Sequence, residues 1–223
     1  MIDERPSVLL DLYDTLAWVD WPSVREGRTR LAERAGADPG CFLGQCDQTV
    51  AARSLAELGP PAEELVRLLA PCGAAPWRAE LADLVELDRA TWRRGVRLFD
   101  GALEGVRRLR RRGCRLAIVS NCSWQGGEVV RALGLDREVD AVVLSFEVGL
   151  RKPEPAMLRL VLGRLGASAA SAVLVDDLVE NLEAAAALGT GTLLMDRRGR
   201  TPDGHHRRVR DVAEVELSLF PPA

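Results

Sequence analysis

Val8-Leu9-Leu10-Asp11-Leu12-Tyr13-Asp14-Thr15-Leu16 joins a short apolar run to a carboxylate and then to a polar turn. A run of this length, bounded by turn-forming residues, reads as a buried strand with Asp11 at its tip. The pattern recurs downstream. Arg115-Leu116-Ala117-Ile118-Val119 ends in Ser120-Asn121, Ala141-Val142-Val143-Leu144 ends in Ser145, and Ala172-Val173-Leu174-Val175 ends in Asp176-Asp177. Thr192-Leu193-Leu194-Met195 is a weaker fifth run. Between the runs, Leu103 to Arg112, Gly126 to Leu133, Pro155 to Leu165 and Val179 to Leu188 carry apolar residues at helical spacing. Gly113, Gly134, Gly166 and Gly189 follow their ends, where a left-handed residue stops a helix. Strands alternating with helices predict an α/β fold, a parallel sheet with helices on both faces. Chemistry in such sheets gathers at the carboxyl ends of the strands, where these polar residues fall.

The alternation stops between about Ala17 and Leu98. Helical patterns run over Val24 to Ala35, Val50 to Leu58, Ala62 to Leu69 and Trp77 to Trp92, divided by Pro60-Pro61 and Pro71-Cys72-Gly73. No convincing strand pattern interrupts them. The expected division is therefore a core of residues 1–16 and 99–223, with an all-helical insert over 17–98. Arg197 to Arg210, with His205-His206, reads as a solvated loop, because adjacent histidines on a regular element do not easily face one metal.

Composition narrows the function. Of 223 residues, 47% are hydrophobic and 28% charged, and the formal charge is -3, so neither nucleic acid nor an anionic membrane is an expected partner. No apolar run has the length of a membrane span, and the polar start of the chain lacks a signal-peptide stretch, so the expected location is the cytoplasm. Five cysteines without C-x-x-C spacing read as reduced, mostly buried thiols rather than as a metal cluster of Cys41, Cys46 and Cys72. Lys152 is the only lysine among 30 basic side chains.

Each polar strand end admits a plain structural reading and a chemical one. Asp11 could cap a loop, or attack a phosphoryl or alkyl centre and form a covalent intermediate. Ser120-Asn121 could be a turn, or hold an anion with hydroxyl, amide and backbone donors. Lys152 could be a surface lysine, or neutralise charge that develops in a transition state. Asp176-Asp177 could cap the helix that follows, or join Asp11 around a cation. Three carboxylates about one point are costly without positive charge, and an all-oxygen set of this kind suits Mg2+.

Four segments in order resemble the four motifs of the haloacid-dehalogenase superfamily. They are Asp11-Leu12-Tyr13-Asp14-Thr15-Leu16, Val119-Ser120-Asn121, Gly149-Leu150-Arg151-Lys152-Pro153-Glu154-Pro155, and Val175-Asp176-Asp177 with Asn181. The resemblance covers about residues 6–16 and 99–196. It implies a Rossmann-like core with a helical cap of the C1 type. It makes Asp11 the nucleophile, Lys152 its electrostatic partner, and Ser120 and Asn121 the phosphoryl-oxygen contacts. Mg2+ would be bound by Asp11, Asp176, Asp177 and the backbone carbonyl of Tyr13. Tyr13, Thr15, Trp18, Trp21 and Arg25 would face the substrate, with Trp77 and Trp92 in the core of the cap.

The match departs at Tyr13. Phosphatases of the family carry there a second Asp that protonates the leaving group, whereas Tyr at this place resembles the 2-haloacid dehalogenase branch. The Asp176-Asp177 pair points the other way, towards the Mg2+-dependent phosphatases. Two further carboxylates beside the nucleophile would repel halide. The expected activity is therefore hydrolysis of a small phosphomonoester, with 2-haloacid dehalogenation or weakly active binding of a phosphorylated ligand as alternatives. Losing the acid costs about 10²–10⁴ in rate, tolerable with a good leaving group. Asp14 could partly replace it, in which case Asp14→Asn changes turnover and its pH profile.

Overall fold

A computed structural model describes residues 6–76, 78–199 and 204–221. The chain begins with strand β1 (Ser7–Leu10) and β2 (Ala17–Val19), then helices α1 (Trp21–Arg34), α2 (Pro39–Gln48), α3 (Val50–Ser54), α4 (Pro61–Leu69) and α5 (Arg78–Gly95). It returns through β3 (Val96–Leu98), α6 (Ala102–Arg111), β4 (Arg115–Ser120), α7 (Gln125–Ala132), β5 (Ala141–Leu144) and α8 (Ser145–Val148). The last elements are α9 (Pro155–Leu165), β6 (Ala172–Asp176), α10 (Val179–Ala187), β7 (Gly191–Met195), β8 (Arg207–Val209) and α11 (Val212–Leu219).

Six strands form one sheet in the order β5-β4-β1-β6-β7-β8, with every neighbouring pair parallel. This is the α/β fold expected from the alternation, with a helical insert between β1 and β4. Side chains alternate across the central strand. Val8 and Leu10 join the core under α6, α7 and α11, while Leu9 faces the core under α9 and α10. Leu10 pairs with Ile118 on one side and Val175 on the other, so the tips of β4, β1 and β6 end side by side. Two helix stops illustrate the local logic. Gly166 after α9 and Gly189 after α10 take left-handed φ values of 59° and 80°, which a side chain would oppose.

Several expectations need correction. The insert is not all-helical, because β2 and β3 pair antiparallel at its two ends, Ala17 opposite Leu98. Three-residue strands are too short to show a period of two. Helix α2 is hidden from a periodicity reading because Gly40 and Gly44 weaken its pattern, and α3 stops at Ser54 rather than Leu58. Arg197 to Arg210 is not wholly loop: β8 adds a sixth strand within it, and His206 is buried. Arginines 207 and 208 hide this strand from a hydrophobicity reading. Cys41 and Cys72 form a disulfide rather than free thiols, across a contact where Asp38 N–H also donates to the Cys72 carbonyl (3.0 Å). Cys46, Cys114 and Cys122 are free and buried. Trp77 lies outside the described residues. No helix among the described residues is long and apolar enough to cross a membrane.

Candidate active site

Lys152 organises the carboxyl edge of the sheet. Its side chain is 2% exposed, and its Nζ donates to Asp11 Oδ1 (2.5 Å) and to Asp176 Oδ2 (2.6 Å). Burial works against the ammonium, but the two carboxylates outweigh it and hold its pKa well above the ordinary lysine range. The carboxylates share that one cation. Burial, offset only in part by Lys152 and reinforced by Asp176, pushes Asp11 up to about 7. Burial together with Asp176 and Asp14 pushes Asp177 up to about 6. The cluster is short of positive charge.

Asp176 is fully engaged. Its Oδ1 accepts from the Leu178 N–H (2.9 Å) and from Asn181 Nδ2 (2.8 Å), while Oδ2 holds Lys152. The second oxygen of Asp11 and the carboxylate of Asp177 receive no donor from another side chain among the described residues. Two buried hydroxyls, Ser120 Oγ at the end of β4 and Thr15 Oγ1 in the turn after β1, also lack hydrogen-bond partners. Buried polar groups without partners are costly.

Asn121 braces the segment that carries Lys152. Its Nδ2 donates to the Lys152 carbonyl (2.7 Å), and its Oδ1 accepts from the Lys152 N–H (2.8 Å). The amide thereby ties the backbone of Lys152 to the tip of β4, while its second Nδ2 hydrogen stays available on the cavity side. Asp14 adopts φ 59°, a left-handed conformation Asp tolerates, and its N–H donates to the Ala17 carbonyl (2.7 Å). Its exposed carboxylate stands close enough to Asp177 to raise that group. Tyr13 packs edge-on to Trp92, with ring centroids 6.3 Å apart. Burial, Cys122 and Asp11 raise its phenol well above the ordinary range, so it is a poor proton donor.

A cavity of about 230 Å³ opens beside these loops. Tyr13, Asp14 and Asn121 form its floor, while Trp21, Arg28 and Trp92 line its insert side. Of the expected substrate-facing residues, Tyr13 and Trp21 line this cavity, but Thr15, Trp18 and Arg25 do not. Trp18 sits opposite Arg97 in the β2–β3 ribbon, and Arg25 points outward to Asp47 (3.6 Å). Helix α1 buries Val24, Gly27, Arg28 and Leu31, so Arg25 lies one position off the inward stripe. Arg28 takes the inward place, buried over the Trp92 ring at 5.3 Å. It has no carboxylate within ion-pair distance among the described residues. Trp92 is buried, as expected of a core residue, yet also walls the cavity.

Two ties hold the insert over this edge. Glu64 on α4 accepts from Arg53 Nε (2.8 Å) and from Trp124 Nε1 (3.2 Å), the latter just before α7. Gln125 Nε2 on α7 donates to the buried Asp88 of α5 (2.6 Å).

Comparison with known proteins agrees with this architecture. The family model described as haloacid dehalogenase-like hydrolase matches residues 7–189. A phosphatase of Mycobacterium tuberculosis is 30% identical over 139 residues, covering 61% of each chain. A phosphoserine phosphatase of Thermus thermophilus is 33% identical over 168 residues, covering 72% of this chain and 66% of the relative. The chain thus spans less than two thirds of the length of these relatives. Among solved structures, a 2-haloacid dehalogenase of Pseudomonas syringae superposes with a TM-score of 0.74 at 19% identity, covering 96% of this chain and 98% of that one. At that identity the likeness is one of fold.

Proposed function

We propose that this chain, which belongs to the haloacid dehalogenase-like hydrolases, is a Mg2+-dependent phosphatase acting on a small phosphomonoester that carries a second anionic group. The observation that carries this reading is the charge imbalance at the sheet edge. Asp11, Asp176 and Asp177 face a single ammonium, and two of the three are raised into the neutral range. The oxygen-only donor set of Asp11 and Asp177, joined by the Tyr13 carbonyl, suits Mg2+, with Asp176 contributing negative charge beside it while holding Lys152. When bound, the ion would supply neutralising charge to the non-bridging phosphoryl oxygens.

The residues of the chain perform the rest. The Asp11 oxygen not held by Lys152 attacks phosphorus, the ester P–O bond breaks, and the leaving oxygen takes a proton. Lys152 offsets the charge on the nucleophile, and the partnerless hydroxyls of Ser120 and Thr15 receive phosphoryl oxygens. Water then attacks phosphorus and the bond to Asp11 Oδ breaks, releasing phosphate. Tyr13 does not supply the leaving-group proton. Two carboxyls line the cavity, Asp14 and Asp47; Asp14, three residues from the nucleophile, is the one we assign to the leaving group, and good leaving groups reduce the need for it.

Arg28 defines the rest of the substrate. A buried guanidinium without a carboxylate is costly unless a ligand pairs with it, and its planar fork suits a carboxylate. The cavity admits a compact molecule of a few heavy atoms beyond the phosphoryl group. The phosphatase relatives point the same way.

One observation favours dehalogenation instead, namely Tyr13 in place of the leaving-group acid. The two chemistries separate in parallel assays of phosphate release from short phosphorylated hydroxy acids and chloride release from 2-chloropropionate. Phosphate release alone is expected. Chloride release without phosphate release would overturn the proposal.

A further inference from the structure

Away from this edge, a second cluster of ligating side chains lies where α10 meets the segment leading into β8. His205 and His206 are adjacent in sequence, yet they stand in a bend rather than on a helix or strand, so both rings turn to the same side. Their centroids are 4.1 Å apart, with the planes tilted by 43°. The objection that neighbouring histidines diverge applies to regular elements and not here.

Both Nε2 atoms approach one oxygen of Glu183 on α10. The distances to Glu183 Oε1 are 3.5 Å from His205 and 3.8 Å from His206, too long for good hydrogen bonds. One ligand atom from each of the three residues lies within 4.8 Å of the other two. Metal–nitrogen and metal–oxygen bonds of about 2.0–2.2 Å place tetrahedral ligands about 3.4 Å apart. The three groups therefore surround a space that a transition-metal dication fills after small side-chain adjustments.

His206 adds an independent sign. Its side chain is 3% exposed, and its buried Nε2 has no hydrogen-bond partner. The other ring nitrogen, Nδ1, lies 2.8 Å from Thr192 Oγ1 on β7. Metal-bound imidazoles are oriented by such a contact on their second nitrogen, which leaves the first free for the ion. A buried imidazole nitrogen aimed without a partner at a carboxylate otherwise has no compensation.

We propose that Glu183, His205 and His206 bind a zinc-class transition-metal ion, with a fourth position open to water, and that the ion pins the β8 edge to α10. Two nitrogens and one oxygen favour Zn2+ over Mg2+, which prefers an all-oxygen set. The site is separate from the sheet-edge carboxylates and does not depend on the phosphatase reading.

The test is calorimetric titration of Zn2+ into the full chain at saturating Mg2+, so that the oxygen-donor cluster is occupied, alongside thermal unfolding with and without Zn2+. The expected result is one saturable Zn2+ site and a raised melting temperature. His205→Ala and Glu183→Gln alter exposed side chains and leave the fold intact. Each should weaken binding at least about tenfold and remove the thermal shift, and Thr192→Val should weaken binding about tenfold through His206. No saturable Zn2+ binding, or binding of equal strength in wild type and His205→Ala, would overturn the proposal.

Discussion

Lys152 stands out in the sequence as the one lysine of the chain, and in the fold its Nζ lies between Asp11 and Asp176. The device that places it is not legible from the sequence. A Ser-Asn pair at a strand end suggests anion contacts, and in the folded chain both polar atoms of Asn121 also bond the Lys152 backbone. Arg28 is hard to single out for a related reason. Arginines are abundant on α1, and choosing among 25, 28 and 30 requires the phase of the helix, set by which face packs on α5. The positioning role of Asn121 makes a prediction at this scale. Asn121→Ala should lower kcat about 10–10²-fold with a smaller change in KM, since a misplaced Lys152 weakens the transition state more than substrate binding. An equal loss in binding alone, measured by steady-state kinetics, would argue for direct substrate contact instead.

Elements rich in apolar residues are readable from the sequence, whereas those defined by pairing are not. Strands β1, β4, β5 and β6 are apolar runs buried in the sheet, and their order along the chain supports the α/β reading. The β2–β3 ribbon and β8 are three residues each and rely on partners distant in sequence. The Cys41–Cys72 disulfide depends likewise on the packing of α2 against the turn after α4. One of the two ties of the insert runs through Glu64, which pairs with the buried Arg53 and accepts from Trp124. Removing one partner strands a buried charge. Glu64→Gln should therefore destabilise the protein by about 3 kcal/mol or more in denaturant unfolding, and should raise KM as the insert loosens. A change within about 0.5 kcal/mol would show that the pair is well solvated in solution.

Across the whole molecule, the sheet-edge charge imbalance links stability, metal and pH. Asp11 and Asp177 have folded-state pKa values above their ordinary 3.8, at about 7 and about 6. The folded protein therefore binds more protons than the unfolded chain between about pH 4 and 7, so these groups make metal-free stability fall as pH rises through that window. Mg2+ should raise the melting temperature more at pH 7.5 than at pH 5, and Asp177→Asn should flatten the metal-free dependence. A pH-independent Mg2+ effect would mean that the ion binds elsewhere.

The central claim is that Asp11 attacks phosphorus within a carboxylate cluster that requires a divalent cation. Phosphate release from para-nitrophenyl phosphate, measured with Mg2+ and with EDTA for wild type and Asp11→Asn, tests it most directly. The account predicts turnover by wild type with Mg2+, its loss in EDTA, and none above background for Asp11→Asn under either condition. Turnover that persists in EDTA, or in Asp11→Asn, would contradict it.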